Sequence, residues 1–365
     1  MINVGMVGAG NISGIYLENF AKVFREVKLV AVCDLIKERA EIAQKKNNIP
    51  KIYDTMHQMF ADPDIDLILN ITRPYQHYEV SKAALLAGKN VYCEKPLGAD
   101  LEEGRELLAL AKEKNLFLGG APDTFMGAGI QTARKLLDAG TFGKVIGCRA
   151  AMCCHGMESW HTDPDFYYQR GGGPLFDMGP YYITAFTELF GSASEVTAKA
   201  SRGYDTRLIT AAPHTGEIIQ VNVDTHIESL ITFESGLFVS LLTSFDIYNS
   251  RQANIEIYNE YCTLYVPDPN CFSGDLVFYD GRTSSENHYP ITFGYAKNSR
   301  ALGLADAAKS IETGRDARAS VNRTYHVLEI MCGILESAEK NIPVKIESHF
   351  DRTDPMDCTL PIGIL

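Results

Sequence analysis

Residues 2–14 read INVGMVGAGNISG, and their reading decides the fold. Ile2 to Val7 is a short apolar run that predicts a strand. Gly8-Ala9-Gly10-Asn11-Ile12-Ser13-Gly14 then breaks the chain, and a helical pattern follows through Phe24. Strand, glycine turn and helix in this order are the context that a dinucleotide fingerprint requires. Gly8 permits the tight turn and Gly10 lets the backbone approach a pyrophosphate. The helix start at Asn11 and Ile12 offers N–H groups to that charge. Ser13 stands at the third glycine position, small enough to serve, with Gly14 behind it.

The next apolar run, Leu29 to Cys33, ends at Asp34, near the ~20-residue interval at which an acidic side chain meets the adenosine ribose hydroxyls. A carboxylate there repels a 2′-phosphate, so the expected cofactor is NAD, with NADP disfavoured; Lys37 and Arg39 lie nearby. Asp34 also suits the helix N-cap. Helices over about 36–47, 55–60, 78–87 and 101–114 alternate with strands near 51–53, 67–71, 90–93 and 116–118. That alternation predicts a doubly wound parallel α/β sheet. The boundary falls at Gly119-Gly120-Ala121-Pro122, giving a Rossmann domain over 1–121 and an α+β domain over 122–365. In the second part, strands are expected near 145–152, 195–202, 217–234, 237–246, 252–258, 261–266 and 275–279. Turns such as Glu234-Ser235-Gly236 suit hairpins of a large, mostly antiparallel, open-faced sheet. Helices are expected near 127–138, 177–190, 299–313 and 323–340.

Composition narrows the class. Hydrophobic residues make up 45% of the 365, as in an ordinary soluble globular protein. The net charge of −12 argues against a nucleic-acid or anionic-membrane surface. Nine irregularly spaced cysteines do not form a disulfide framework. No apolar run nears the ~18 residues of a membrane span, and the N-terminus enters a strand without a signal-peptide pattern. A cytoplasmic location is expected. Cys153-Cys154-His155 lacks a second pair at finger spacing, and neighbours on a strand face opposite ways, so no metal site is expected.

Two further stretches carry chemistry. In Tyr92-Cys93-Glu94-Lys95-Pro96-Leu97, Pro96 ends the strand and holds Lys95 on a stiff loop at the sheet's ligand-binding edge. Burial or a nearby cation would lower the Lys95 pKa and make it a proton shuttle. Further on, Ser159-Trp160-His161 precedes Gly171-Gly172-Gly173-Pro174-Leu175-Phe176-Asp177-Met178-Gly179-Pro180-Tyr181. Asp177 is expected to open a helix, where Asp177 and Tyr181, spaced i and i+4, share a face. Tyr53, Phe125, Trp160, Tyr167, Tyr168 and Arg170 are candidates to line a pocket.

The nucleotide-binding N-terminal part, Glu94-Lys95-Pro96 and the later glycine–Asp177 segment together resemble the Gfo/Idh/MocA oxidoreductase family, essentially along the whole chain. The resemblance implies oxidation of a secondary hydroxyl of a sugar, glycoside or cyclitol, with hydride passing to NAD(P). It implies a catalytic group of Lys95, Asp177, Tyr181 and His161. The implied cofactor-binding set is Gly8, Gly10, Asn11, Ile12, Asp34, Thr72, Pro74, His77, Glu94 and Lys95. Tyr181 stands where the family usually has a catalytic histidine, which marks a subgroup. Tyrosine's ordinary pKa is about 10 against about 6.5 for histidine, so three repairs are open. Lys95 and the nicotinamide cation would lower the Tyr181 pKa, Lys95 itself would be the acid/base, or His161 would supply an imidazole. Two other outcomes stay open: NAD-assisted glycoside cleavage through a transient keto-sugar, and a non-catalytic nucleotide- or sugar-binding regulator. The partners expected are a small sugar or polyol and further copies of the chain, as a homodimer or homotetramer, with no nucleic acid and no membrane.

Overall fold

The protein, a computed structural model describing residues 1–365, is built on two large sheets. The chain begins with β1 (Ile2–Val7), α1 (Ser13–Lys22), β2 (Val27–Cys33), α2 (Lys37–Asn47) and β3 (Lys51–Ile52). It continues through α3 (Met56–Phe60), β4 (Leu67–Asn70), α4 (His77–Leu86), β5 (Asn90–Cys93), α5 (Leu101–Lys114) and β6 (Leu118–Gly120). All pairings among these strands are parallel, in the order β3-β2-β1-β4-β5-β6. The central strands are apolar on both faces, as helices on both sides require; every residue of β4 is buried. The order in which strands are added reverses between β1 and β4, which leaves a crevice at their carboxyl ends. This is the doubly wound sheet that the alternation predicts.

Strand β6 falls two residues later than expected, and its glycines explain the placement. A Cβ on Gly119 would lie 2.2 Å from the Ala319 carbonyl oxygen, and one on Gly120 2.5 Å from that of Cys93. Only glycine lets three backbones meet there.

The remaining chain runs α6 (Ala128–Asp138), β7 (Val145–Cys153), α7 (Gly173–Phe190), β8 (Ala193–Ser201), β9 (Thr206–Leu208), β10 (Ile218–Gln220) and β11 (His226–Phe233). After these come β12 (Phe238–Ser244), β13 (Ile255–Asn259), β14 (Cys262–Val266), β15 (Leu276–Asp280) and β16 (Ser285–Tyr289). The last elements are α8 (Leu302–Thr313), α9 (Val321–Lys340) and β17 (Val344–Lys345). Nine strands form the second sheet in the order β16-β15-β14-β13-β7-β12-β11-β8-β17. Every pairing in it is antiparallel except β12 with β7. Helices α6, α7 and α9 cover one face. The opposite face is open, with Leu230 and Phe238 exposed on it. Helix α8 returns to pack on β2 and β6.

Two expectations need correction. The strand expected over 217–234 is two strands, and β10 pairs with β9 in a separate ribbon. Arg207 on β9 is buried in ion pairs to Glu158 and Asp246, which anchor this ribbon to the segments that follow β7 and β12. Helix α7 starts at Gly173 rather than Asp177, because Pro174 fits a first helical turn, where its missing N–H costs nothing. Asp177 therefore lies within the helix, its side chain free for other partners. No helix is long and apolar enough to cross a membrane.

Candidate active site

The glycine turn sits in the crevice between β1 and β4. Gly8 has φ +102°, and a Cβ there would lie 2.7 Å from the Ile71 carbonyl oxygen, so glycine is required on both counts. A Cβ added at Gly10 would meet nothing within 4 Å, so the backbone there faces open space. Helix α1 has no side-chain cap and no acidic residue in its first turn. Apart from that of Ser13, which donates to the Gly10 carbonyl oxygen at 3.1 Å, its first-turn N–H groups are thus left for an anion. Asp34 accepts from Ala9 N–H at 2.6 Å and from Ile36 N–H at 2.7 Å, which ties the glycine turn to the end of β2. A cleft of about 1300 Å³ is lined by Gly8, Gly10, Asn11, Ile12, Asp34, Thr72 and Pro74, and on its far side by His161 and Tyr167. Arg73 and Asp163 pair across its mouth. Open backbone, free helix N–H groups and a carboxylate at the end of β2 fit a dinucleotide.

Three expected cofactor ligands, His77, Glu94 and Lys95, do not line this cleft. His77 is 1% exposed, its Nδ1 2.7 Å from the Pro96 carbonyl oxygen and its Nε2 3.1 Å from that of Thr72. It braces the two loops, and burial holds its pKa below the ordinary value. Glu94 also turns inward, accepting from Tyr16 Oη at 2.7 Å and from the Lys95 N–H at 3.0 Å. Both residues position the loop that carries Lys95.

Lys95, Asp177 and Tyr181 meet beside Tyr167 rather than in the lining of the large cleft. Lys95 Nζ donates to Asp177 Oδ1 at 2.7 Å and to the Asp177 carbonyl, and lies 5.2 Å from the centre of the Tyr181 ring. Tyr167 shares this neighbourhood: burial raises its pKa and Asp177 raises it further, while Lys95 opposes them. A lowered Lys95 pKa is not found. Burial pulls it down, but Asp177 and Tyr181 outweigh burial and hold the ammonium above the ordinary lysine value. Nor is the Tyr181 phenol lowered in the protein alone: burial raises it, against the opposing fields of Lys95 and Arg300. His161 is half-buried; its Nδ1 accepts the Asp163 N–H at 3.0 Å, and burial keeps it below its usual pKa, hence neutral. Its ring stands edge-on to Tyr167 with centroids 5.2 Å apart.

Of the aromatic and basic candidates for a pocket wall, only Tyr167 lines the cleft. Phe125 and Tyr168 are core, Trp160 points to solvent, Tyr53 bonds Asp62, and Arg170 pairs with Asp100 and Glu103. One neighbour lacked any sequence signal. Arg300, in the loop before α8, reaches Tyr181 Oη at 3.5 Å and Asn270 Oδ1 at 2.8 Å.

A Rossmann sheet with a cleft suited to a dinucleotide, and a lysine, an aspartate and a tyrosine gathered beside Tyr167 of its wall, defines the class of dinucleotide-binding oxidoreductases. Residues 2–119 match the model described as an oxidoreductase family with an NAD-binding Rossmann fold, and residues 130–264 match the GFO/IDH/MocA C-terminal domain. The chain belongs to the Gfo/Idh/MocA oxidoreductase family. Among curated relatives, trans-1,2-dihydrobenzene-1,2-diol dehydrogenase of Bos taurus is 32% identical over 51% of this chain and 55% of its own. The Mus musculus protein of that name is 28% identical over 66% of this chain and 67% of its own. The matched stretch thus spans between about half and two thirds of these relatives' length. Levoglucosan dehydrogenase in complex with NADH superposes with a TM-score of 0.81, at 22% identity, over 95% of this chain and 99% of that one. An NAD-binding oxidoreductase from Klebsiella pneumoniae gives 0.81 at 20% identity over 94% and 98%. At such identities these two structures speak for the fold.

Proposed function

We propose that the protein is an NAD-dependent dehydrogenase that oxidises a secondary hydroxyl of a sugar, glycoside, cyclitol or related cyclic diol. The observation that carries this is the junction of Lys95, Asp177 and Tyr181 next to a cleft built for a dinucleotide. Gly8, Gly10, Asn11, Ile12 and the α1 N–H groups would hold the pyrophosphate, Asp34 the ribose hydroxyls, and Thr72 and Pro74 the nicotinamide end. Asp34 favours NAD over NADP by charge. When bound, the nicotinamide supplies the acceptor for the hydride that leaves the carbinol carbon. Lys95, kept cationic by Asp177, donates to the substrate oxygen and stabilises negative charge developing on it. Tyr181 is the proton acceptor, lying against Lys95, and His161 is a neutral imidazole at the cleft wall. Positioning and proton transfer together supply the rate.

The diol dehydrogenase name of the curated relatives supports the substrate class. Nine thiols, none in a disulfide, agree with a reducing cytoplasmic setting. The open face of the nine-stranded sheet is the surface on which copies of the chain would associate as a dimer or tetramer.

The test is to mix the protein with NAD and a panel of cyclic diols, anhydrosugars, glycosides and polyols, and follow both NADH and products. Accumulating NADH with a ketone product supports the reading. Aglycone release without net NADH would replace it with glycoside cleavage. Nucleotide binding without turnover of any compound would replace it with a regulator.

A further inference from the structure

Two cations flank the Tyr181 ring, and their charge is committed differently. Lys95 is spent on Asp177 at 2.7 Å. Arg300 has no acidic partner: its hydrogen bonds go to Asn270 Oδ1 at 2.8 Å, Asn298 Oδ1 at 3.0 Å and Tyr181 Oη at 3.5 Å, all neutral oxygens. Every other arginine that is not exposed has an aspartate or glutamate within ion-pair distance. These are Arg134, Arg207, Arg315, Arg318, Arg323 and Arg352. A largely desolvated guanidinium without a counter-ion is costly unless an anion forms beside it in use. The nearest group able to become one is the Tyr181 phenol.

We propose that Arg300 is a positioning residue whose guanidinium supplies the counter-charge to a Tyr181 phenolate, so that Tyr181 takes the substrate proton. In the step, the substrate O–H bond breaks and its proton forms a bond to Tyr181 Oη. The phenolate charge that Arg300 had balanced is thereby quenched, and the carbonyl would form as the carbinol carbon loses hydride to the nicotinamide that the cleft would hold. Charged and titratable groups facing Tyr181 come from every packed element. Glu94 and Lys95 lie at the end of β5, Asp177 on α7 itself, Tyr167 before α7 and Arg300 before α8. Asp123 lies behind Arg300 and is turned aside by accepting the Gly303 N–H at 3.0 Å. Among them Lys95 and Arg300 are the two cations, and Arg300 is the one that no carboxylate contacts. Burial raises the phenol and the two cations oppose it, the direction this role requires.

This rests on the alcohol-oxidation reading only in its kinetic arm. A spectroscopic arm needs no substrate. Ultraviolet difference titration of wild type against Tyr181→Phe, each with NAD bound, isolates the tyrosinate signal of Tyr181 among the other tyrosines. The same difference, Arg300→Met against Arg300→Met/Tyr181→Phe, gives its titration without the guanidinium. The expected result is a midpoint moved to higher pH by Arg300→Met and brought back toward wild type by Arg300→Lys. In kinetics, kcat/KM for alcohol oxidation falls about tenfold at neutral pH in Arg300→Met, the equivalent of one pKa step, and recovers within about twofold at high pH. An unchanged Tyr181 midpoint would overturn the proposal, as would a fall in kcat/KM at all pH values without a moved midpoint. A raised KM alone would instead make Arg300 a contact for an anionic substrate. If no alcohol is oxidised by wild type, the functional reading fails while the titration still decides the role of Arg300. Should Arg300→Met fail to fold, as judged by thermal unfolding, Arg300→Gln and Arg300→Lys carry the same comparison.

Discussion

At one end of the cleft, Gly8, Asp34 and Thr72 hang from the carboxyl ends of β1, β2 and β4, neighbours in one sheet. Beside Tyr167 of its wall, Lys95, Asp177, Tyr181 and Arg300 arrive from β5, α7 and the loop before α8. The cofactor end is therefore made by local geometry: a turn with positive φ, an uncapped helix and a strand-end carboxylate. The proton-transfer end is made by packing, since nothing short of the assembled molecule brings its four side chains together. Substitutions at the first end should act on backbone and binding, and at the second on rate.

The largest expected effect tests that division. Lys95→Ala should lower kcat about 10³-fold, within the usual range for a proton-transfer partner, while NADH affinity stays within a few-fold of wild type. Steady-state turnover together with a nucleotide titration measures both; equal losses in binding and rate would erase the distinction. Gly8→Ala should act through the backbone instead. With φ at +102° and the Ile71 carbonyl oxygen 2.7 Å from the new methyl, the loss of stability should be about 3 kcal/mol, read by chemical denaturation. A neutral Gly8→Ala would mean that the turn is slack.

The second sheet has its own pH-sensitive joint. His326 Nε2 accepts the Ala193 N–H at 2.9 Å and its Nδ1 meets Ser348 Oγ at 2.8 Å, an arrangement that needs a neutral ring. Burial depresses its pKa to about 4. Its unfolded value is about 6.5. The folded value being the lower, the contribution is present above about pH 6.5 and is lost as pH falls toward 4. Roughly 2 kcal/mol should vanish between pH 7.5 and 5 by this route. Denaturation curves of wild type and His326→Gln at the two pH values check it, the variant showing the smaller loss.

Legibility in the sequence follows the same division. The strand–glycine–helix order and Asp34 are readable because each depends on its immediate neighbours, and the cleft is lined by Gly8, Gly10 and Asp34. Position along the chain assigns His77 and Glu94 to the cofactor because they flank that region, yet both turn inward to hold loops. Whether a side chain at a strand end faces ligand or core depends on what packs behind it, here Tyr16 and the Pro96 carbonyl. Helical spacing pairs Asp177 with Tyr181 correctly, although Pro174 starts the helix a turn earlier than expected. Arg300 is beyond reach of such reading, because its lack of an acidic partner exists only in three dimensions.

The crevice between β1 and β4 is expected to bind NAD with its reactive end toward Lys95 and Tyr181. Fluorescence titration of the purified protein with NADH and NADPH tests it most directly. Saturable NADH binding is expected, tighter than NADPH and weakened about tenfold by Asp34→Ala, as the loss of a charge-assisted hydrogen bond implies. Failure to bind either nucleotide would contradict the account at its foundation.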